Sequence, residues 1–151
     1  SKKFHPNDID VFAGIESRGF ILACMLAQKY NKGMVLIRKV GKLPGNTVKV
    51  SYTIEYGKAQ MEMQKTALEK NERVLICDDL LATGGTAKAA AKLIEKLGAE
   101  ITGFAFIIEL TELKGKLSIK PKTAIPAELI RTSTESLKRS SISSTKVGIF
   151  S

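Results

Sequence analysis

The residues best suited to chemistry stand together in one string, Val-Leu-Ile-Cys-Asp-Asp-Leu-Leu-Ala-Thr-Gly-Gly-Thr, from Val74 to Thr86. Two adjacent acids, Asp78 and Asp79, follow an apolar run. A carboxylate only accepts hydrogen bonds, so the vicinal hydroxyls of a sugar are natural partners. Ala82, Thr83, Gly84, Gly85 and Thr86 come just before a helical pattern. They offer closely spaced backbone N–H groups, two hydroxyls and glycines that let an anion approach, with the helix dipole adding favourable potential. Acids for a ribose and a loop for its phosphate, a few residues apart, describe a ribose-5-phosphate cradle. Acids capping a helix and glycines turning the chain would explain a shorter string, but not this one. No Lys follows the glycines, so it is not a Walker loop.

The elements that must position this string follow a repeated grammar. Val11–Ile15 is a short apolar run ending in the polar turn Glu16-Ser17-Arg18-Gly19, with a helix expected from Phe20 to about Tyr30 and a strand over Met34–Ile37. Val74–Cys77 is the next strand. A helix with Ala90, Leu93, Ile94 and Leu97 on one face follows, ending at Gly98, and Ile101–Ile108 is another strand. Strand, helix, strand, repeated, predicts an α/β fold with a mostly parallel sheet flanked by helices. Between the blocks, Val48–Ile54 and Gln60–Gln64 are expected to pair as a flexible antiparallel β-ribbon around Glu55-Tyr56-Gly57. Met61 and Met63 alternate as strand residues do. Ligands of open α/β sheets lie beyond the carboxyl ends of the strands. That rule selects Glu16 to Gly19, the basic cluster Arg38, Lys39 and Lys42, Asp78 to Thr86, and Glu109.

The Val74–Thr86 string resembles the 5-phosphoribosyl-1-pyrophosphate (PRPP) signature of type I phosphoribosyltransferases. Gly-Ile-Glu-Ser-Arg-Gly-Phe (14–20), Ile-Arg-Lys-Val-Gly-Lys-Leu-Pro-Gly (37–45) and Ser-Tyr-Thr-Ile-Glu-Tyr-Gly (51–57) resemble the adenine-using branch of that family, in one register from about Val11 to Leu117. The resemblance implies a type I phosphoribosyltransferase-like core that transfers phosphoribose from PRPP to N9 of adenine, giving AMP and pyrophosphate, with Mg²⁺ accompanying PRPP. It implies that Asp78 and Asp79 take the ribose hydroxyls and metal-bound groups, with Asp79 assisting the Mg²⁺. Ala82, Thr83, Gly84, Gly85 and Thr86 would hold the 5′-phosphate. Ser17 and Arg18 belong to the family's pyrophosphate loop, where backbone amides, often around a non-proline cis bond, meet the leaving group. Arg38, Lys39 and Lys42 would approach pyrophosphate, partly at a homodimer interface. Glu55 would be the catalytic acid/base on a closing loop, with Tyr56 covering the site.

Composition bounds these expectations. The 151 residues carry 24 Lys and Arg against 15 Asp and Glu, a formal charge of +9, with 44% hydrophobic residues. That is the composition of a globular protein and excludes disorder of the whole chain. The longest apolar run, Phe20–Ala27, is far short of a membrane span, and no secretory signal is expected. Cys24 and Cys77 lie in apolar stretches and read as reduced core thiols, which suits the cytoplasm. Residues 1–117 are expected to form the core. Residues 118–151 read as a basic Ser/Thr-rich tail of weak order, with a short helix around 127–131. From Lys120 onward the chain carries +4, which leaves +5 on the body. Set against the family, the chain is expected to lack several dozen residues before Val11, including part of the hood over adenine. A non-catalytic PRPP- or AMP-binding relic or inactive fragment is therefore the alternative reading. A nucleic-acid binder acting through the tail ranks below it, because no aromatic-rich surface strand accompanies the charge. Small molecules, not nucleic acid or membrane, are the expected partners.

Overall fold

The computed structural model describes residues 5–54, 57–115, 119 and 145–150. The apolar runs form the centre of a seven-stranded sheet. In chain order the elements are β1 (Val11–Ile15), α1 (Glu16–Tyr30), β2 (Gly33–Lys39), β3 (Thr47–Ile54), β4 (Gly57–Gln64), β5 (Arg73–Leu81), α2 (Gly85–Leu97), β6 (Glu100–Leu110) and β7 (Thr145–Phe150), preceded by a 3-10 turn at Pro6–Asp8. Across the sheet the order is β3-β4-β2-β1-β5-β6-β7. The inner strands β2, β1, β5 and β6 run parallel, and β3, β4 and β7 add antiparallel edges. The α/β expectation holds.

Alternation along β1 and β5 divides the core in two. Ala13, Val74 and Ile76 face α2 with its buried Ala90, Leu93 and Ile94. Phe12, Leu75 and Cys77 face α1 with its Ala23, Leu26 and Ala27. Helix α2 stops at Gly98, whose φ of +84° makes the left-handed cap and returns its N–H to the Glu95 carbonyl. The ribbon also forms as expected, with Ser51 opposite Gln60 and Ile54 opposite Gly57.

Three expectations are corrected. Glu16-Ser17-Arg18-Gly19 is not a turn ahead of the helix but the first turn of α1. The reversal is taken up by Glu16 alone, at φ +50°. Strand β5 runs on through Asp78 and Asp79 to Leu81, because Leu80 and Leu81 pair with Ile108 and Glu109 of β6. Cys24 is exposed on the outer side of α1; only Cys77 is buried, and burial pushes its thiol upward. Within the stretch expected to be a weakly ordered tail, Thr145–Phe150 forms β7 against β6. The helix expected around 127–131 lies outside the described residues.

At the amino ends of the strands, Asp10 joins β1 to β5. Its carboxylate accepts from Arg73 Nε at 2.9 Å, Nη2 at 2.7 Å and the Arg73 amide at 2.9 Å. Arg73 thereby holds Asp10 down to about 2, although burial opposes it. A depressed acid stabilises the fold above its unfolded value of 3.8, and that stabilisation is lost as pH falls through about 2. Asp10→Asn should therefore cost about 1 kcal/mol at neutral pH, allowing for solvent screening of a partly exposed pair. The gap from the unsubstituted protein should close between pH 4 and 2 in urea denaturation.

Candidate active site

Loops at the carboxyl ends of β1, β2 and β5 converge, with the ribbon, on one cleft of about 580 Å³. Its walls include Ser17 and Arg18 from α1, Lys39 from β2, Asp78 and Asp79 from β5, and Ala82 and Thr86 before and within α2. A smaller recess of about 70 Å³ adjoins it, lined by Ala82, Thr83, Gly84, Gly85 and Thr86. Gly84 is the N-cap of α2 at φ +83°, a conformation open to glycine at little cost, and the first residues of the helix, Gly85 and Thr86, line the recess. The two parts of the expected cradle, paired acids and an anion loop, are thus contiguous in space as well as in sequence.

The acids differ in environment. Burial, helped by the neighbouring Asp79 carboxylate, raises Asp78 to about 7, while the Asp79 amide, which donates to Asp78 Oδ1 at 2.9 Å, and Arg18 work against the rise. Asp79 is ion-paired with Arg18, Nε to Oδ2 at 2.8 Å, and the Arg18 side chain is 76% exposed. Arg18 therefore links the first turn of α1 to the end of β5 across the cleft. No cis peptide bond occurs among the described residues, and Glu16, at φ +50°, opens the first turn of α1. Glu16 in turn accepts from the Lys39 amide at 2.6 Å and approaches Arg38 Nη2 at 4.0 Å.

The basic cluster divides. Lys39 lines the cleft. Arg38 lies over the Phe20 ring, 5.7 Å from its centroid, and donates to the Lys42 carbonyl at 3.4 Å. Lys42 is held by its backbone, whose amide donates to Glu62. Glu55 and Tyr56 lie outside the described residues; their neighbours Ile54 and Gly57 pair across the ribbon, and Ile54 lines the cleft.

Two residues were not singled out by the sequence. Tyr52 on β3 lines the cleft, and its hydroxyl is hydrogen-bonded to Thr86; burial and the charge of Glu16 raise its titration point. Glu62 on β4 is 2% exposed between the buried Met61 and Met63. Three adjacent buried residues break the alternation expected of β4, because the 39–47 segment folds back over the face that Glu62 presents.

Fold and site together define a phosphoribosyltransferase, and the chain belongs to that family: the family model described as the phosphoribosyl transferase domain matches residues 1–131. Similar proteins within the family include adenine phosphoribosyltransferases. The protein of that name from Nitrosopumilus maritimus is 73% identical over 119 residues, covering 79% of this chain and 70% of its own length. Among solved structures, the Rhodothermus marinus adenine phosphoribosyltransferase matches with a TM-score of 0.74 and 48% identity, over 80% of this chain and 67% of that one. The Saccharomyces cerevisiae enzyme, solved with an imino-altritol bisphosphate and adenine, matches with a TM-score of 0.73 and 42% identity, over 80% of this chain and 66% of that one. The chain thus spans about two thirds of the length of these relatives.

Proposed function

We propose that this chain carries out purine salvage, transferring 5-phosphoribose from PRPP to N9 of adenine and releasing AMP and pyrophosphate. The observation that carries this reading is the junction of Asp78 and Asp79 with the Ala82–Thr86 recess along one wall of the cleft. In this reading the recess takes the 5′-phosphate, held by the amides at the start of α2. Asp78 and Asp79 accept from the ribose hydroxyls. Ser17, Arg18, Lys39 and Lys42 meet the pyrophosphate. An oxocarbenium-like transition state at C1′ needs leaving-group charge absorbed on one side and a positioned base nitrogen on the other. Arg18 and Lys39 supply the first, with pyrophosphate competing against Asp79 for the Arg18 guanidinium. Glu55 handles the purine proton on the opposite side, and Tyr56 covers it.

Mg²⁺ belongs to the same reading. Among the described residues no cluster of three or more His, Cys, Asp or Glu is arranged to hold a metal. The paired carboxylates suit a cation that keeps most of its ligands as substrate oxygens and waters, with Asp79 assisting. Bound there, it would neutralise the charge of pyrophosphate. The reading extends to a homodimer through the outer face of α1, where Ile21 and Met25 are each 64% exposed, with Arg38 serving the neighbouring site. We place the reaction in the cytoplasm, a reducing setting that suits the free thiols of Cys24 and Cys77.

The test is turnover with adenine, guanine, hypoxanthine and xanthine in parallel, each with PRPP and Mg²⁺, alongside sedimentation of the same preparation. Adenine alone should give its nucleotide, and Glu55→Ala should lower kcat by about 10²- to 10⁴-fold, the usual worth of a general acid/base. Saturable PRPP or AMP binding without turnover would establish the binding relic instead.

A further inference from the structure

The carboxylate of Glu62 is more completely enclosed and more fully hydrogen-bonded than any described acid lining the cleft. One oxygen, Oε1, accepts from three consecutive backbone amides, Gly41 at 2.8 Å, Lys42 at 3.0 Å and Leu43 at 3.1 Å. The other, Oε2, accepts from the Thr47 hydroxyl at 3.0 Å. Consecutive amides converging on a point form an anion nest, and here the anion is a side chain of the same protein. The turn needs Gly41 at φ +87°. Glu62 stands opposite Arg38 in the β2–β4 register, at the root of the segment whose amides it gathers. The near end of that segment is held as well, by the Lys39 amide on Glu16 Oε1.

We infer that Glu62 is a positioning residue for the pyrophosphate half of the reaction, clamping the Arg38–Leu43 segment so that Lys39 is presented to the cleft. This rests on the transferase reading above. The nest amides are already satisfied by Glu62, so the segment meets an anion through its side chains and not through its backbone. A buried carboxylate is costly unless fully bonded. The four donors supply that bonding, and they hold the Glu62 carboxyl below its usual range although burial pushes the other way. The arrangement is specific: an apolar residue at 62 would leave three adjacent amides without an acceptor, and the segment would refold to satisfy them.

The test compares Glu62→Gln with the unsubstituted protein in three measurements: amide hydrogen exchange, calorimetric binding of pyrophosphate with Mg²⁺ and of AMP, and KM for PRPP. Glutamine keeps an acceptor oxygen but loses the charge that roughly doubles hydrogen-bond strength. Exchange at Gly41, Lys42 and Leu43 should quicken by about tenfold, and pyrophosphate Kd and PRPP KM should rise by about 3- to 10-fold, with AMP Kd within about twofold. The more conservative Thr47→Val, which removes only the bond to Oε2, should move the same quantities in the same direction by less. It keeps the test open should Glu62→Gln not fold. Equal weakening of pyrophosphate and AMP would show a general structural role and overturn the inference. So would unchanged or tighter pyrophosphate binding, which would mean that removing a negative charge outweighs loosening the segment. Exchange and pyrophosphate binding need no turnover. A failure of the transferase reading would appear in the unsubstituted protein's assay, whereas a failure of this inference would appear only in the variants.

Discussion

Asp79→Asn should lower kcat/KM for PRPP by about 10²- to 10³-fold, the effect expected from weakening one or two charge-assisted hydrogen bonds to the ribose at about 1.5–3 kcal/mol each. AMP binding should weaken with it, because the same hydroxyls are present in the product. The substitution also releases Arg18 from its 2.8 Å pair. Free pyrophosphate should therefore bind no more weakly than before. Opposite responses of AMP and pyrophosphate in calorimetry distinguish a lost ribose contact from a damaged cleft. AMP binding unchanged, with kcat/KM within threefold, would remove Asp79 from the ribose. Asp78 adds a pH signature. Burial holds it up to about 7, so the folded chain keeps a proton there that the unfolded chain releases near 3.8. Its contribution to stability is present below that lower value and is lost as pH rises toward and through about 7. AMP affinity should rise over the same upper range as the carboxylate ionises, and Asp78→Asn should flatten both profiles.

What was legible in the sequence is what lies close along the chain. Asp78 to Thr86 could be read as one site because strand, acids, loop and helix start are contiguous, so local geometry alone brings them together. The parallel core was legible for a related reason: strands buried on both faces must be continuously apolar, as all five residues of β1 are. Glu62 could not be read this way. Between Met61 and Met63 an acid follows the polar half of a strand alternation. Only the return of Gly41–Thr47, 15 to 21 residues away, covers it and supplies its donors. Tyr52 is hidden likewise, since its link to Thr86 depends on how the ribbon lies across the sheet. Cys24 misled because its apolar neighbours in the run Phe20–Ala27 include both faces of α1: Ala23, Leu26 and Ala27 point inward, while Ile21 and Met25 point out. A run that is apolar on every side gives no direction to any one residue. The polarity of Glu16 to Gly19 has the pattern of a turn, whereas in the fold it marks a helix end facing a cleft.

Gly19→Ala is the smallest change expected to disable the site. An added Cβ would stand 2.7 Å from the Cys77 carbonyl oxygen and 3.3 Å from Asp78 Oδ1. The first is backbone of a strand residue paired on both sides, with Gly14 of β1 and Ala105 of β6, so it cannot move aside as a flexible side chain would. Gly14 lies on the other side of the same contact, where a Cβ would meet the Gly19 carbonyl oxygen and the Phe20 Cα, each at 3.0 Å. Two glycines five positions apart thus let the first turn of α1 lie directly against β1 and β5. The helix must therefore lift to accommodate the methyl group. Overpacking of this kind costs about 1–3 kcal/mol, and a shift approaching 1 Å in a positioning element costs about 10²-fold in rate. The lift moves Ser17 and Arg18 away from Asp79 while the Ala82–Thr86 recess, built on β5 and α2, stays in place. The variant should remain folded with a lowered Tm. It should lose about 10²-fold in kcat/KM for PRPP, and weaken for pyrophosphate more than for ribose-5-phosphate. Equal losses for the two ligands would mean that the disturbance reaches β5 itself, and an unchanged rate would mean that the contact between α1 and the strand ends does not set the position of Ser17 and Arg18.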